Sequence, residues 1–332
     1  MTVWLWAAFL TYVVAMLALD LGVFHKKAHA VAPREALGWT TAWVTQALLF
    51  GVLVYFMYEH HWLGMGAAPG LDVGGATAAL EYVTGYLIEL SLSFDNIFVM
   101  ALIFQYFRVP LEYQHRVLFW GILGAQIMRG IMIGAGVVLI RRFDWMVYVF
   151  GGLLLFTAVR MLVSQQESID PNRSIAVRLA KRLYPVTPHF DGPRFFTEHE
   201  GRRSATPLLL VLVLVESMDV VFAVDSIPAI FAVTQDPFLI FTSNIFAILG
   251  LRSMYFLLAA LIARFRYLKL ALVFLLAFVG VKLMVSHHWP IPTLLSLGII
   301  LGILAVGVVL SLVIPVRSAK DVAEPGEPPR AA

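Results

Sequence analysis

Three carboxylates stand inside one apolar run. Leu208–Val233 reads LLLVLVLVESMDVVFAVDSIPAIFAV, long enough to cross a bilayer, with Glu216, Asp219 and Asp225 near its middle. An acid at the centre of a membrane helix costs about 2.5–3.5 kcal/mol on insertion scales, so three of them require partners, water, protons or a metal. Pro228 follows the last acid and has no N–H to donate to the Val224 carbonyl. Carboxylates beside a freed backbone oxygen at mid-membrane depth are hard ligands. They suit Mn2+, Mg2+ or Ca2+ rather than soft metals.

A second stretch, Ala76–Phe107, repeats the pattern with Glu89, Asp95 and Asn96. Glu89 and Asn96 are spaced to share a helix face, as are Ser91 and Asp95, and Glu216 with Asp219. Asp225 falls about half a turn away from Glu216, so it joins the others only if the helix unwinds before Pro228 or the site lies off-axis. The candidate metal ligands are therefore Glu89, Asp95, Asn96, Glu216, Asp219 and Asp225. Counting Asp20 as well, six intramembrane acids face four intramembrane cations, Arg129, Arg160, Arg252 and Lys282. A divalent cation, or protons in its absence, balances the excess. Arg160 and Lys282 read as structural partners of acids, and Asp20, near a helix end, as readily as an interfacial anchor.

The elements that must position these side chains are membrane helices. The chain of 332 residues is 60% hydrophobic and 14% charged, with mean hydropathy +0.84, and its apolar runs are continuous rather than alternating. Nine spans are expected: Val3–Phe24, Ala36–Tyr58, Ala76–Phe107, Val117–Ile140, Trp145–Val163, Pro207–Val233, Phe238–Ala263, Leu268–Val285 and Pro292–Pro315. The first lacks a basic region before it and reads as a membrane helix rather than a signal peptide. Residues 1–315 form a single transmembrane domain, and the Pro-, Glu- and Ala-rich 316–332 a disordered cytoplasmic tail.

Lys and Arg set the orientation. Alternate loops hold Lys26, Lys27, Arg34, Arg108, Arg116, all those of 164–206, Arg264, Arg266, Lys269 and those of the tail, against only Arg141 and Arg142 on the other side. That bias places the N-terminus outside and the C-terminus in the cytoplasm. The loop 164–205 is cytoplasmic. Its basic, amphipathic first half either lies on the anionic leaflet or is simply a solvated loop. His60, His61, His287 and His288 fall in outside loops, where a metal-gathering rim is weighed against ordinary exposed histidines.

An internal repeat organises the middle of the chain. SFDNIFVM at 93–100 matches SMDVVFAV at 217–224, GILG at 121–124 matches AILG at 247–250, and FTAVRMLVS at 156–164 matches FVGVKLMVS at 278–286. Repeat A covers about 76–164 and repeat B about 207–286. Three spans per repeat is odd, so the halves have opposite topology, an architecture that places binding sites near the midplane between repeats. Asp95 and Asp219 are symmetry mates, whereas Asp225 has none.

With no cysteine, the chain has neither disulfides nor thiol chemistry of its own. No HExxH, Walker A pattern or nucleophile–base set occurs, so an enzyme is not expected. A formal charge of +3 gives no reason to expect nucleic acid as a partner.

TGYLIELSLSFDNIFV at 84–99, ESMDVVFAVDSIPAIFAVTQDPF at 216–238 and TSNIFAILGLRSMYFLL at 242–258 resemble the TerC family of integral membrane proteins, its Alx-type branch above all. The likeness spans about residues 5–315. It implies a helical inner-membrane protein associated with tellurite resistance, response to alkaline pH and, in that branch, export of Mn2+. The family's acidic motif residues fall on Glu89, Asp95, Glu216, Asp219 and Asp225, with Asn96 and Ser226 beside them.

The expected function is secondary export of Mn2+ or a similar hard divalent cation across the bacterial inner membrane, coupled to protons, with no tightly bound cofactor. The alternative is a non-transporting membrane subunit or sensor in tellurite resistance or in redox or alkaline-pH stress, binding a membrane partner of those systems.

Overall fold

A computed structural model describes residues 3–24, 33–68, 71–163, 174–199, 201–258, 266–286, 288–289 and 291–314. The expected tail 316–332, the loop start at 164–173, the end of the seventh span at 259–263, His287 and the Asp20 side chain lie outside what is described. The chain is an all-α polytopic membrane protein. Its helices are α1 (Val3–Phe24), α2 (Pro33–Glu59), α3 (Gly75–Tyr106), α4 (Leu111–Arg142), α5 (Met146–Val163), α6 (Ile175–Leu183), α7 (Pro207–Phe231), α8 (Pro237–Leu249), α9 (Leu251–Leu258), α10 (Arg266–Val285) and α11 (Thr293–Val313).

Among the described residues seven helices are long and apolar enough to cross a membrane, and α8 with α9 makes an eighth if the bent pair is one span. The expected first span is a single helix over Val3–Phe24, whose described side chains, Val3–Leu19, are almost all apolar.

Proline marks where helices begin. Pro33, Pro207 and Pro237 are first helical residues, and Pro110 and Pro292 immediately precede α4 and α11. The ring fixes φ at a helical value, and the missing N–H is one that a first turn leaves without a partner. At α8 the preceding Asp236 completes the cap, accepting from the Phe238 N–H at 2.8 Å and more weakly from Leu239.

Helix α3 is the hub, packing against α2, α7, α8, α9, α10 and α11. The other large contacts are α4 on α7, α5 on α10, and α10 on α11. Close crossing of α5 and α10 depends on paired glycines. A Cβ on Gly151 would stand 2.9 Å from the Gly280 carbonyl oxygen, and one on Gly280 3.0 Å from that of Gly151.

Of the two ways for Asp225 to join the other acids, unwinding before Pro228 is not the one seen. Pro228 does not unwind its helix: α7 runs unbroken to Phe231, because the hydrogen bond the proline forfeits belongs to the last turn. The break lies one span later, where α8 and α9 meet at Gly250 with a bend of 42°. There Gly250 lies beside Trp43 of α2.

The loop before α7 is also more structured than a solvated connector. It holds α6 and an antiparallel hairpin of β3 (Phe196–His199) and β4 (Arg202–Ala205), with Phe196 opposite Ala205. A second small hairpin, β1 (Ala67–Ala68) with β2 (Leu71–Asp72), precedes α3.

Candidate functional site

The middle of the bundle is held by one arginine. Arg129 of α4 is 1% exposed, Glu89 of α3 0% and Asp219 of α7 3%. Asp219 is the middle residue of α7, and Glu89 and Arg129 sit near the middles of their own helices. The guanidinium donates from Nη2 to Asp219 Oδ1 at 2.9 Å and from Nε to Oδ2 at 3.3 Å. Its Nη1 donates to Glu89 Oε1 and, at 3.2 Å, to Ser226 Oγ. A planar fork is suited to such bidentate pairing. Asp219 and Ser226 are two turns apart on α7, so one face of that helix is turned to Arg129.

The same helical register separates Asp225 from this node. Its Oδ1 accepts from the Thr157 hydroxyl of α5 at 2.7 Å, and Arg160 contributes a favourable charge. With α7 unbroken, Asp225 cannot turn to the face of Asp219, and it serves the α5–α7 contact instead. Glu216 lies one turn toward the Pro207 end, its carboxylate against the bare Cα of Gly124 on α4. Gly121, three residues earlier, makes the matching room for Val215.

On α3 a row of buried oxygens continues from the node. Glu89 Oε2, Ser93 Oγ and Asn96 Oδ1 have no hydrogen-bond partner, and their spacing keeps them on one face. Buried polar atoms are nearly always satisfied, so this row stands out as a line of hard oxygen donors. Asp95, beside Asn96, is half-buried and has a partner of its own.

Of the six sequence-predicted ligands, the structure thus brings Glu89 and Asp219 together on Arg129. Asn96 is on the same face of α3 as Glu89, Glu216 lies one turn from Asp219, and Asp225 is on another interface. Among the described residues no three His, Cys, Asp or Glu form a ready-made metal cage. The physical reason at the centre is plain, because the guanidinium stands between the two acids.

Sequence reasoning missed a second polar group near the α7–α8 turn. Glu81 of α3 hydrogen-bonds the Thr234 side chain and faces the charge of Lys282, which is 5% exposed. Asp236 of the same turn accepts from the Tyr58 hydroxyl at 2.8 Å. Glu81 was open to discovery, since it lies eight residues before Glu89 and therefore near the same face. Lys282, expected to be a structural partner of an acid, has the Glu81 charge as a favourable influence. His60 and His61 have local partners too: His60 stacks between Phe56 and Trp62, and His61 Nδ1 lies 3.0 Å from the Met65 carbonyl.

Comparison with known proteins puts this arrangement in context. The family model described as "Integral membrane protein TerC family" matches residues 74–319, a range that takes in every residue of the node. An "Uncharacterized membrane protein STKORF319" from Myxococcus xanthus is 52% identical over 309 residues, covering 93% of this chain and 92% of that protein. The "Putative membrane-bound redox modulator Alx" is 45% identical over 308 residues in Salmonella typhi, covering 92% of this chain and 93% of the relative. In Escherichia coli strain K12 the protein of that name is 44% identical over 318 residues, covering 96% and 97%. No solved structure matches the chain.

Proposed function

The chain belongs to the TerC family of integral membrane proteins, and we propose that it is a secondary transporter exporting Mn2+ or a similar hard divalent cation across the bacterial inner membrane. The observation that carries this reading is the convergence of Glu89 and Asp219, from two different helices, at the middle of the bundle, with Glu89 Oε2 still unpartnered. Two carboxylates and one guanidinium leave a net negative charge in a place where charge is costly.

An arginine cannot shed its proton to make way, so a divalent ion takes these carboxylates only by displacing the guanidinium. Arg129 is in this reading a tethered cation that holds the site closed when no ion is present. The acids are strung along α7 in order: Glu216 toward the Pro207 end, Asp219 in the middle, Asp225 toward the Phe231 end. With the Pro207 end cytoplasmic, as the loop charges indicate, an ion moves past them in that order.

Export of two positive charges costs about 4.6 kcal/mol per 100 mV of inside-negative potential. Protons entering in exchange supply the work, and protonation of the carboxylates from the outer side releases the metal. The inverted-repeat reading supports alternating access. Helix α3 packs on α8 and α7 on α4, so the first span of each half rests on the second span of the other, and α5 packs on α10.

The test is flux in liposomes holding the purified chain, across a panel of Mn2+, Mg2+ and Ca2+ with an imposed proton gradient. Gradient-dependent Mn2+ movement is expected in the parent and its loss in Asp219→Asn. Equal flux in parent and variant would overturn the site.

One observation favours a different reading. Arg129 already satisfies Asp219 fully and Glu89 in part, which is what a purely structural node requires. In that reading the chain is a non-transporting subunit or sensor in tellurite resistance or in redox or alkaline-pH stress. A redox role would need a partner's thiols or cofactor, because this chain has no cysteine. Absence of metal flux under every gradient, in a folded and reconstituted protein, selects this alternative.

A further inference from the structure

Helix α6 has an apolar face wider than the protein covers. Placed on a wheel of about 100° per residue, Ile175, Leu179 and Leu183 fall on one strip, Ala176, Ala180 and Val177 on the next, and Arg178, Lys181 and Arg182 on the remainder. Val177 is fully buried and belongs to the same apolar cluster as Leu208, Leu210 and Val211 of α7. The strip beside it is bare: Ile175 is 75% exposed, Leu179 55% and Leu183 66%. Arg178 and Arg182 are exposed and flank that strip on its other side.

A nine-residue helix with three exposed large aliphatic residues in water would be a poor solution for a solvated loop. The same helix at a bilayer surface is a good one. Its apolar strip enters the acyl boundary while the arginines on its flank meet headgroup phosphates. The position fits. Helix α6 packs on α7, whose apolar sequence begins at Pro207, and Thr206 ties the intervening hairpin to that first turn. Its N–H donates to the Phe195 carbonyl at 2.9 Å, and its hydroxyl to the Arg194 carbonyl at 2.7 Å. On the other side Arg116, near the start of α4, lies over the Phe195 ring at 5.1 Å. Together α6 and the hairpin sit at the membrane margin of α4 and α7.

We infer that α6 is an interfacial helix that docks on an anionic lipid surface through Ile175, Leu179 and Leu183, with Arg178 and Arg182 reading the headgroup charge. The inference is independent of whether the chain transports a cation. Its consequence is mechanical: α6 and the hairpin are fastened to the end of α7, the helix that carries Glu216, Asp219 and Asp225. Lipid charge at the surface is thereby linked to the position of that helix.

The natural absence of cysteine makes the test direct. Leu179→Cys, Ile175→Cys and Lys181→Cys are each labelled with an environment-sensitive fluorophore in the full chain. They are reconstituted in bilayers of phosphatidylcholine alone or with phosphatidylglycerol. Brominated lipid is expected to quench the labels at positions 175 and 179 strongly and the label at 181 weakly. That contrast is expected to deepen with phosphatidylglycerol and to lose its dependence on lipid charge in an Arg178→Gln/Arg182→Gln background. Equal quenching at 179 and 181 overturns lipid docking. Protection at 175 and 179 from both brominated lipid and an aqueous quencher overturns it as well, by showing that protein covers the strip. Quenching unaffected by phosphatidylglycerol overturns the role of the arginines.

Discussion

Arg129 grips both oxygens of Asp219, at 2.9 Å and 3.3 Å, across the contact between α4 and α7. The same guanidinium reaches Glu89 on α3, so one side chain fastens three helices at mid-bundle. Removing it leaves two carboxylates buried without their counter-charge. Breaking a buried pair costs about 3–5 kcal/mol, mostly as the penalty of the abandoned charge. Arg129→Met is therefore expected to lower stability by that order. Arg129→Lys retains the charge but cannot reproduce the fork, and is expected to fall between. Thermal unfolding in detergent checks the order. Adding Glu89→Gln and Asp219→Asn to Arg129→Met is expected to restore most of the loss, and a triple variant as unstable as the single one would refute the account.

How much of this was legible beforehand differs by residue. The start of α7 was, at Pro207 as read from sequence, whereas α4 starts at Leu111, six residues before the expected Val117, because its first turns carry polar residues. Glu89, Asp219 and Arg129 were each visible as costly charges in apolar runs, yet nothing in one dimension said that the arginine would stand between the acids. That follows from the α4–α7 crossing, which a sequence does not specify. The place of the helix break was not legible for a related reason. A proline signals a lost hydrogen bond, but its effect depends on distance from the helix end. The bend at Gly250 lies inside a run that reads as one continuous span.

Glycine positions give a graded test of helix packing. Gly151→Ala puts a methyl 2.9 Å from the Gly280 carbonyl and against Met284 Cγ. Backbone cannot yield, so the α5–α10 crossing must widen, at about 1–3 kcal/mol. Gly134→Ala on α4 meets open space within 4 Å, and alanine is the better helix former by roughly 0.8–1 kcal/mol. Opposite shifts in melting temperature are expected, and a fall of similar size in both would argue against the crossing as described.

Asp236 joins two tasks at the start of α8, capping the Phe238 N–H and accepting from the Tyr58 hydroxyl. Loss of an N-cap side chain typically costs about 1 kcal/mol. Asp236→Ala also deprives Tyr58 of its partner, so its cost is expected to exceed that of Tyr58→Phe, which leaves the cap in place. Melting temperatures of the two variants and faster amide exchange at 238–239 in Asp236→Ala alone would bear this out. Equal exchange in both variants would not.

Asp225 gives the sharpest separation between binding and movement. Thr157 holds it at 2.7 Å on the α5–α7 contact, off the face that carries Asp219. In the export reading it lies beyond the central pair on the way out, so it acts after the ion has been taken. Asp225→Asn is then expected to lower maximal Mn2+ flux severalfold while the concentration for half-saturation changes little, since uniform binding at Glu89 and Asp219 is untouched. Thr157→Val, which removes one neutral donor to a charged acceptor, is expected to follow the same pattern more weakly. Asp219→Asn is expected to act differently, by abolishing saturable flux. Should Asp225→Asn instead abolish saturable flux as Asp219→Asn does, the two acids belong to one site, and α7 must unwind near Pro228 during transport to bring them together.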